Sequence, residues 1–406
     1  MLVASFYITL FLLSLNQLSV LSKSGGVSVY LFDISVILFS LFGTCYFLIL
    51  KKSFKIPRYA YLYVFFILPA GISLLLSSIE FSTDKIMTGF FYLLRYFSYL
   101  LSGVVVYNMV DKRLLSKKRI EDAFILSGIF IAIAGFIQLI LLPDFTILDP
   151  SLGWDPHKNR LASTFFDPNF VGAYFVICLA VLLERIFPDK CTKESSKTGF
   201  YTYFCLIVIL IGLILTFSRS AWGMMGIVVL AYGVFRSKVL LLVAFFTAFM
   251  AYFAIPRVQT RISGTTDPAD SASLRIVSWG NTVRIIKDNI WTGVGFNTYR
   301  YAQENYGFLT PDQDEIHSGA GSDSSLLLVF ATTGIFGFLI YFVAFLFPII
   351  DSLKKRYLGW LVILGILISL LIESQFINSL FYPQIMFILF PILFIFDNRL
   401  QYLSVL

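Results

Sequence analysis

The stretch KKRIEDAFILSGIFIAIAGFIQLILLPD, residues 117–144, decides the fold. Three basic residues open it, an almost unbroken apolar run follows, and a Pro-Asp pair closes it. A hydrocarbon core needs roughly 20 apolar residues per helical span, which the run at 120–142 supplies. Runs of similar length lie at about 2–21, 29–50, 59–79, 87–110, 169–187, 201–217, 221–235, 239–255, 324–350, 358–377 and 380–396. Composition agrees, with 58% of residues apolar, 17% aromatic and 14% charged, against about 25% charged in a soluble domain. The expected fold is an all-α polytopic membrane protein of about twelve transmembrane helices, which excludes a soluble enzyme.

Lys and Arg set the expected orientation, because short loops rich in them stay cytoplasmic. They occupy alternate loops: Lys51, Lys52, Lys55 and Arg58; Lys112, Arg113, Lys117, Lys118 and Arg119; Arg185, Lys190, Lys193 and Lys197; Arg236 and Lys238; Lys354, Lys355 and Arg356; and Arg399. Both termini are therefore expected inside the cell, and the first span reads as a retained anchor. The net charge of +7 follows from basic loops that meet anionic headgroups, so nucleic acid is not an expected partner. Cys45, Cys178, Cys191 and Cys205 form no CxxC pair, and neither disulfides nor zinc are expected. No internal repeat marks a two-halved transporter. The expected division is nine spans in 1–255 with a short external loop at 143–168, a helical external subdomain at 256–323, and three spans in 324–406.

Charge in the long loop is segregated. Arg257, Arg261, Arg275, Arg284, Lys287 and Arg300 dominate its first part; Glu304, Asp312, Asp314, Glu315 and Asp323, with His317 among them, make up the rest. Such polarity suits an anionic leaving group held beside a base, since arginine offers permanently charged planar donors for diphosphate oxygens. A helix is expected to start after Ser271 or Ser273, with Ile276, Trp279, Val283, Ile286 and Ile290 as a stripe that lies on the membrane body; Arg275 flanks that stripe and Arg284 points away. In TGVGFNTYR, residues 292–300, the glycines allow a tight turn. Asn297, Tyr299 and Tyr301 there suit either sugar binding or the bilayer interface, the second being preferred.

Three further places carry polar groups at or inside the apolar runs. Arg219, within LILTFSRSAWGMMG at 213–226, stands at a junction of spans where an uncompensated charge is costly, and Gly223 and Gly226 there suit close helix approach. Arg95 lies deeper and needs a partner, either as structural glue or as lining of the same cavity. In the 143–168 loop, Arg160 and His157 face the same side, and Asp167, Pro168 and Asn169 are expected to cap the next span.

These residues resemble the bacterial O-antigen polymerase and O-antigen ligase superfamily. The resemblance rests on NRLASTFFDPNFVGAY at 159–174, on LTFSRSAWGMMG at 215–226, and on the run from Arg275 through NIWTGVGFNTYR to SDSSLLLVFATTGIFG at 322–337. It implies a GT-C-like glycosyltransferase of the bacterial cytoplasmic membrane with its site facing outward. Such an enzyme transfers glycan from undecaprenyl diphosphate to a sugar hydroxyl, without metal, cofactor or nucleotide sugar. Arg160, Arg219 and Arg275 would hold the diphosphate by position. Ligase members carry a His-Asn pair where this chain has Asp323-Ser324, which leaves Asp323 or His317 as base and tilts the reading towards a polymerase. Lipid-linked donor and acceptor would then occupy two grooves, and a chain-length regulator is a possible partner. The alternatives are a ligase acting on lipid A core, a lipid-linked oligosaccharide flippase or transporter, and an assembly scaffold.

Overall fold

The computed structural model describes residues 1–24, 27–148, 157–189, 199–264, 271–309 and 321–397. Its helices are α1 (Leu2–Leu15), α2 (Leu31–Cys45), α3 (Ala60–Phe65), α4 (Ile67–Leu76), α5 (Thr83–Asp111), α6 (Lys117–Leu141), α7 (Pro168–Ile186) and α8 (Phe200–Leu215). They continue as α9 (Arg219–Phe235), α10 (Lys238–Ala254), α11 (Pro256–Ser263), α12 (Ser271–Asp288), α13 (Tyr299–Asn305), α14 (Ser325–Lys355), α15 (Trp360–Glu373) and α16 (Pro383–Ile395). The chain is thus an all-α multi-pass membrane protein apart from one small hairpin. That hairpin, β1 (Val20–Ser24) against β2 (Val27–Tyr30), is antiparallel and pairs Ser22 with Val29.

Each expected span contains a helix, and these helices differ in length. Among the described residues seven helical segments are long and apolar enough to cross a membrane, or eight if α10 and α11, bent by 97°, form one span. The other four apolar helices, α8, α9, α15 and α16, hold 13 to 17 residues. At 1.5 Å per residue the longest reaches roughly 26 Å, short of a core about 30 Å thick. Their ends have local causes. Ser218 caps α9, accepting from the Ala221 amide at 3.4 Å, and Pro383 is the first residue of α16.

The bundle has two chemically distinct ends. At one, the basic loops pair with carboxylates of neighbouring elements: Lys55 with Asp111 at 2.7 Å, Arg58 with Asp351 at 3.2 Å, Arg185 with Glu121 at 3.0 Å and Arg236 with Asp189 at 2.9 Å. The 143–168 loop, the α8–α9 turn, α11 and the α15–α16 connection gather elsewhere. The Leu161 amide donates to the Leu215 carbonyl at 2.9 Å, Arg257 to the Lys158 carbonyl at 2.7 Å and the Tyr382 hydroxyl to the Phe165 carbonyl at 3.5 Å.

The 292–295 turn locks onto a break in α14. Gly334 interrupts that helix at φ +65°, a left-handed backbone that glycine alone adopts cheaply. The break frees carbonyls that the turn takes up: the Val294 amide donates to Ala331 at 2.9 Å and the Gly295 amide to Thr332 at 3.1 Å, while the Ile335 amide reaches the Ile290 carbonyl at 2.8 Å. Beneath the joint, Phe81, Ile285, Ile286, Val294, Tyr299, Ala302 and Ala331 form a small apolar cluster of their own.

Two expectations about packing are corrected. On α12 the buried positions are Thr282, Ile285 and Ile286, whereas Ile276 is 66% exposed and Val283 and Ile290 are exposed as well. The inward face is therefore rotated from the apolar stripe, and it runs back through Ser278 to Arg275 at three- and four-residue steps. Gly223 and Gly226 admit no close neighbour: a Cβ on either would meet nothing within 4 Å.

Candidate functional site

The α8–α9 turn is three residues long, and its geometry turns two carbonyls outward. Phe217 takes φ +47°, the Thr216 hydroxyl donates to the Leu213 carbonyl at 2.6 Å, and the Ser218 amide donates to the Thr216 hydroxyl at 3.2 Å. Arg160 Nε donates to the Thr216 carbonyl at 2.9 Å and Arg261 Nε to the Phe217 carbonyl at 3.2 Å. Arg257 lies 3.9 Å over the Phe217 ring, and Arg219 is the first residue of α9. Four arginines from three chain regions thus surround one turn.

Asn169 ties the next element to this group. Its side-chain oxygen accepts from Arg160 at 3.2 Å and from the Ser218 hydroxyl at 2.7 Å. Asp167 caps α7 as its sequence suggests, accepting from the Asn169 amide at 2.7 Å with Pro168 following. The N-termini of α7 and α9 meet through that Asn169–Ser218 bond, and helix N-termini carry partial positive charge that adds to the arginines.

Arg275 approaches from α12. One turn further on, Ser278 Oγ accepts from the Asp323 amide at 3.1 Å, which sets Asp323 beside that helix. Ser324 caps α14 and donates to Gln375 at 3.3 Å, while the Ser325 amide donates to the Ser374 carbonyl at 2.7 Å. Glu373, just before that contact, is 2% exposed and feels the charges of both Asp167 and Arg275. The structure therefore brings the Arg160 side chain to the turn that Arg219 follows and ties it through Asn169 to the start of α7, while Asp323 docks on α12 one turn from Arg275.

Other expected site residues lie apart from this group. His317 is outside the described residues. Tyr299 is 1% exposed in the small apolar cluster, its hydroxyl 2.6 Å from Thr282 Oγ1, so it offers no face to a sugar and does not sit at the bilayer interface. Arg300 is half-buried in α13 beside it. Asn297, at φ +60°, lines a small cavity with Arg95 and Asn378. His157 is buried against Phe145, ring centroids 4.4 Å apart, and burial pushes its imidazole down to about 4, with Arg160 and Arg261 acting in the same sense. It is neutral at pH 7.

Arg95 is structural glue. It donates to Asp33 at 2.8 Å and to the Ser28 carbonyl at 2.6 Å, while the Tyr99 hydroxyl holds the other Asp33 oxygen at 2.8 Å. The pair also lines a cleft of about 520 Å³ between α2 and α5, with Lys85, Thr88, Tyr92 and Tyr301 on its polar side. None of Arg160, Arg219 or Arg275 lines that cleft.

Glu373, Arg257, Arg261 and Asn169 are the members that sequence reasoning passed over as site residues. A carboxylate ending an apolar run was a usable signal for Glu373. The two arginines were visible as charges only, because their contacts depend on the bend between α10 and α11.

Residues 204–342 match a family model described as O-antigen ligase. Over them, the resemblance to the O-antigen polymerase and ligase superfamily is borne out. The matched region takes in the α8–α9 turn, Arg257, Arg261, Arg275, Asp323 and the break at Gly334. Arg160, Asp167 and Glu373 approach it from outside. No curated protein matches the chain.

Proposed function

We propose that the chain is a polysaccharide polymerase of the bacterial cytoplasmic membrane, transferring glycan from undecaprenyl diphosphate to a sugar hydroxyl of a lipid-linked repeat unit. The observation that carries this reading is the arginine group around the Thr216–Ser218 turn in a protein made of membrane helices, with Arg275 and the buried or half-buried carboxylates Glu373 and Asp323 on later elements. Arginines there hold the diphosphate and stabilise the charge that develops on it as the anomeric C–O bond breaks. Their position near the α7 and α9 N-termini adds to the same field. A carboxylate near Arg275 takes the proton of the attacking hydroxyl. Polar groups on the basic-loop end are paired with one another, and on this reading that end faces the cytosol.

The description of the matching family model favours a second reading, a ligase that hands finished glycan to another acceptor. One incubation separates the two. Purified protein is mixed with the lipid-linked oligosaccharide extracted from a strain lacking it, with and without lipid A core, and the products are resolved on a gel. A ladder from the lipid-linked material alone is the polymerase result; a single shifted band that requires lipid A core is the ligase result, and neither product leaves the transporter reading.

A further inference from the structure

Glu373 stands out among the buried carboxylates because half of it is unused. The Ser379 hydroxyl donates to one oxygen, and the other, Oε1, is buried with no hydrogen-bond partner among the described residues. A buried carboxylate oxygen left unsatisfied is expensive, and native proteins keep such groups where chemistry needs them. Glu373 ends α15 at the point where the α14 N-terminus docks, through Ser325 to Ser374 and Ser324 to Gln375. Arg275 acts on it from α12 and Asp167 from the start of α7, and no contact ion pair joins Glu373 to Arg275 among the described residues. The second Glu373 oxygen is therefore open to a third group.

We infer that Glu373 is the catalytic proton acceptor of the transfer, positioned to take the proton from the acceptor hydroxyl through Oε1. The inference rests on the glycosyltransferase reading above and deepens it. The acceptor oxygen forms a bond to the anomeric carbon, the bond from that carbon to the diphosphate oxygen breaks, and its electron pair leaves with the diphosphate, held by arginine. The hydroxyl proton passes to Glu373 and from there to water. Asp323, beside Ser278, is the competing acceptor, and it differs in being half-exposed with its backbone fixed to α12.

The test compares full-length protein in nanodiscs, wild type against Glu373→Gln, Glu373→Asp and Asp323→Asn, using the same extracted lipid-linked oligosaccharide. Glu373→Gln keeps a group that can meet Ser379 and should lower kcat about 100-fold or more while the donor KM moves less than about threefold. Glu373→Asp should recover part of the rate. In wild type the rate should fall as pH drops and Glu373 protonates, with Asp167 and Arg275 shaping that profile. Turnover within about threefold of wild type for Glu373→Gln, or loss confined to Asp323→Asn, overturns the assignment. Should Glu373→Gln fail to fold, a wild-type rate independent of pH in the acid range overturns it instead. A wild type that transfers only to lipid A core removes the polymerase reading yet leaves the Glu373 comparison intact, since that acceptor hydroxyl must also lose its proton. Absence of any transfer removes both.

Discussion

Gly293 and Gly334 meet backbone to backbone: a Cβ on Gly293 would stand 2.7 Å from the Gly334 amide nitrogen. Both residues have positive φ, +68° and +65°, so an alanine at either meets strain as well as a clash. We expect Gly334→Ala to destabilise the protein by roughly 1–3 kcal/mol or more. Gly223→Ala and Gly226→Ala, where a Cβ meets open space in α9, should instead be neutral or slightly stabilising. Thermal melts in detergent of all three variants test the contrast, and equal losses would show that the joint is not special.

Arg219→Ala and Arg275→Ala should each reduce polymer at least about 100-fold in a complementation assay while protein level holds. Wild-type chain lengths in both variants would remove the two residues from the site. Arg284→Ala is the control, since Arg284 is exposed on the far side of α12 over Phe308.

His157 predicts a pH dependence of stability. Its folded value of about 4 lies below the unfolded value near 6.5, so the unfolded chain binds more protons between the two. Stability is complete above about pH 6.5 and is lost progressively as pH falls towards 4, by up to about 3 kcal/mol. The melting temperature of wild type should drop across that window, and His157→Phe, which keeps the contact with Phe145, should flatten the curve.

Tyr299 separates packing from sugar binding. Tyr299→Phe removes the hydroxyl with its contacts to Thr282 and Ser322 and should cost about 1 kcal/mol; Tyr299→Ala empties the cluster and should cost roughly 3–5 kcal/mol. A large loss of glycan affinity in Tyr299→Phe, with the melting temperature unchanged, would contradict this.

The bundle was legible in the sequence because hydrocarbon imposes its own length and composition on each span. What was not legible has physical reasons. Ile276, Val283 and Ile290 repeat as a buried stripe would, yet they are exposed while Thr282, Ile285 and Ile286 are buried, because the covered face of this helix is set by its packing on α14 and not by hydropathy alone. Arg275 could be selected from charge alone, but its surroundings could not: Asp323 meets Ser278, one turn along α12, only through the packing of α12 against α14. Arg160 and Arg219 were readable as cations near the ends of spans, while the carbonyls that hold Arg160 and Arg261 arise from a turn whose left-handed Phe217 leaves no residue-type signature. The β1–β2 hairpin was missed because its strands are only five and four residues long and adjoin apolar helices.

The four short helices bear on the lipid as much as on the protein. They gather around α7, and the Thr216–Ser218 turn and the Glu373–Pro383 connection both lie at their ends. Helices of roughly 20–26 Å are shorter than a hydrocarbon layer of ordinary thickness, and of the four only α8 and α9 have broad exposed apolar faces, so a thinner bilayer would be expected beside those two. On the proposed function, such thinning would bring the phosphate plane towards the arginines and let a carrier headgroup reach them while its prenyl tail stays in oil. Turnover should consequently rise in short-chain phosphatidylcholine bilayers relative to long-chain ones.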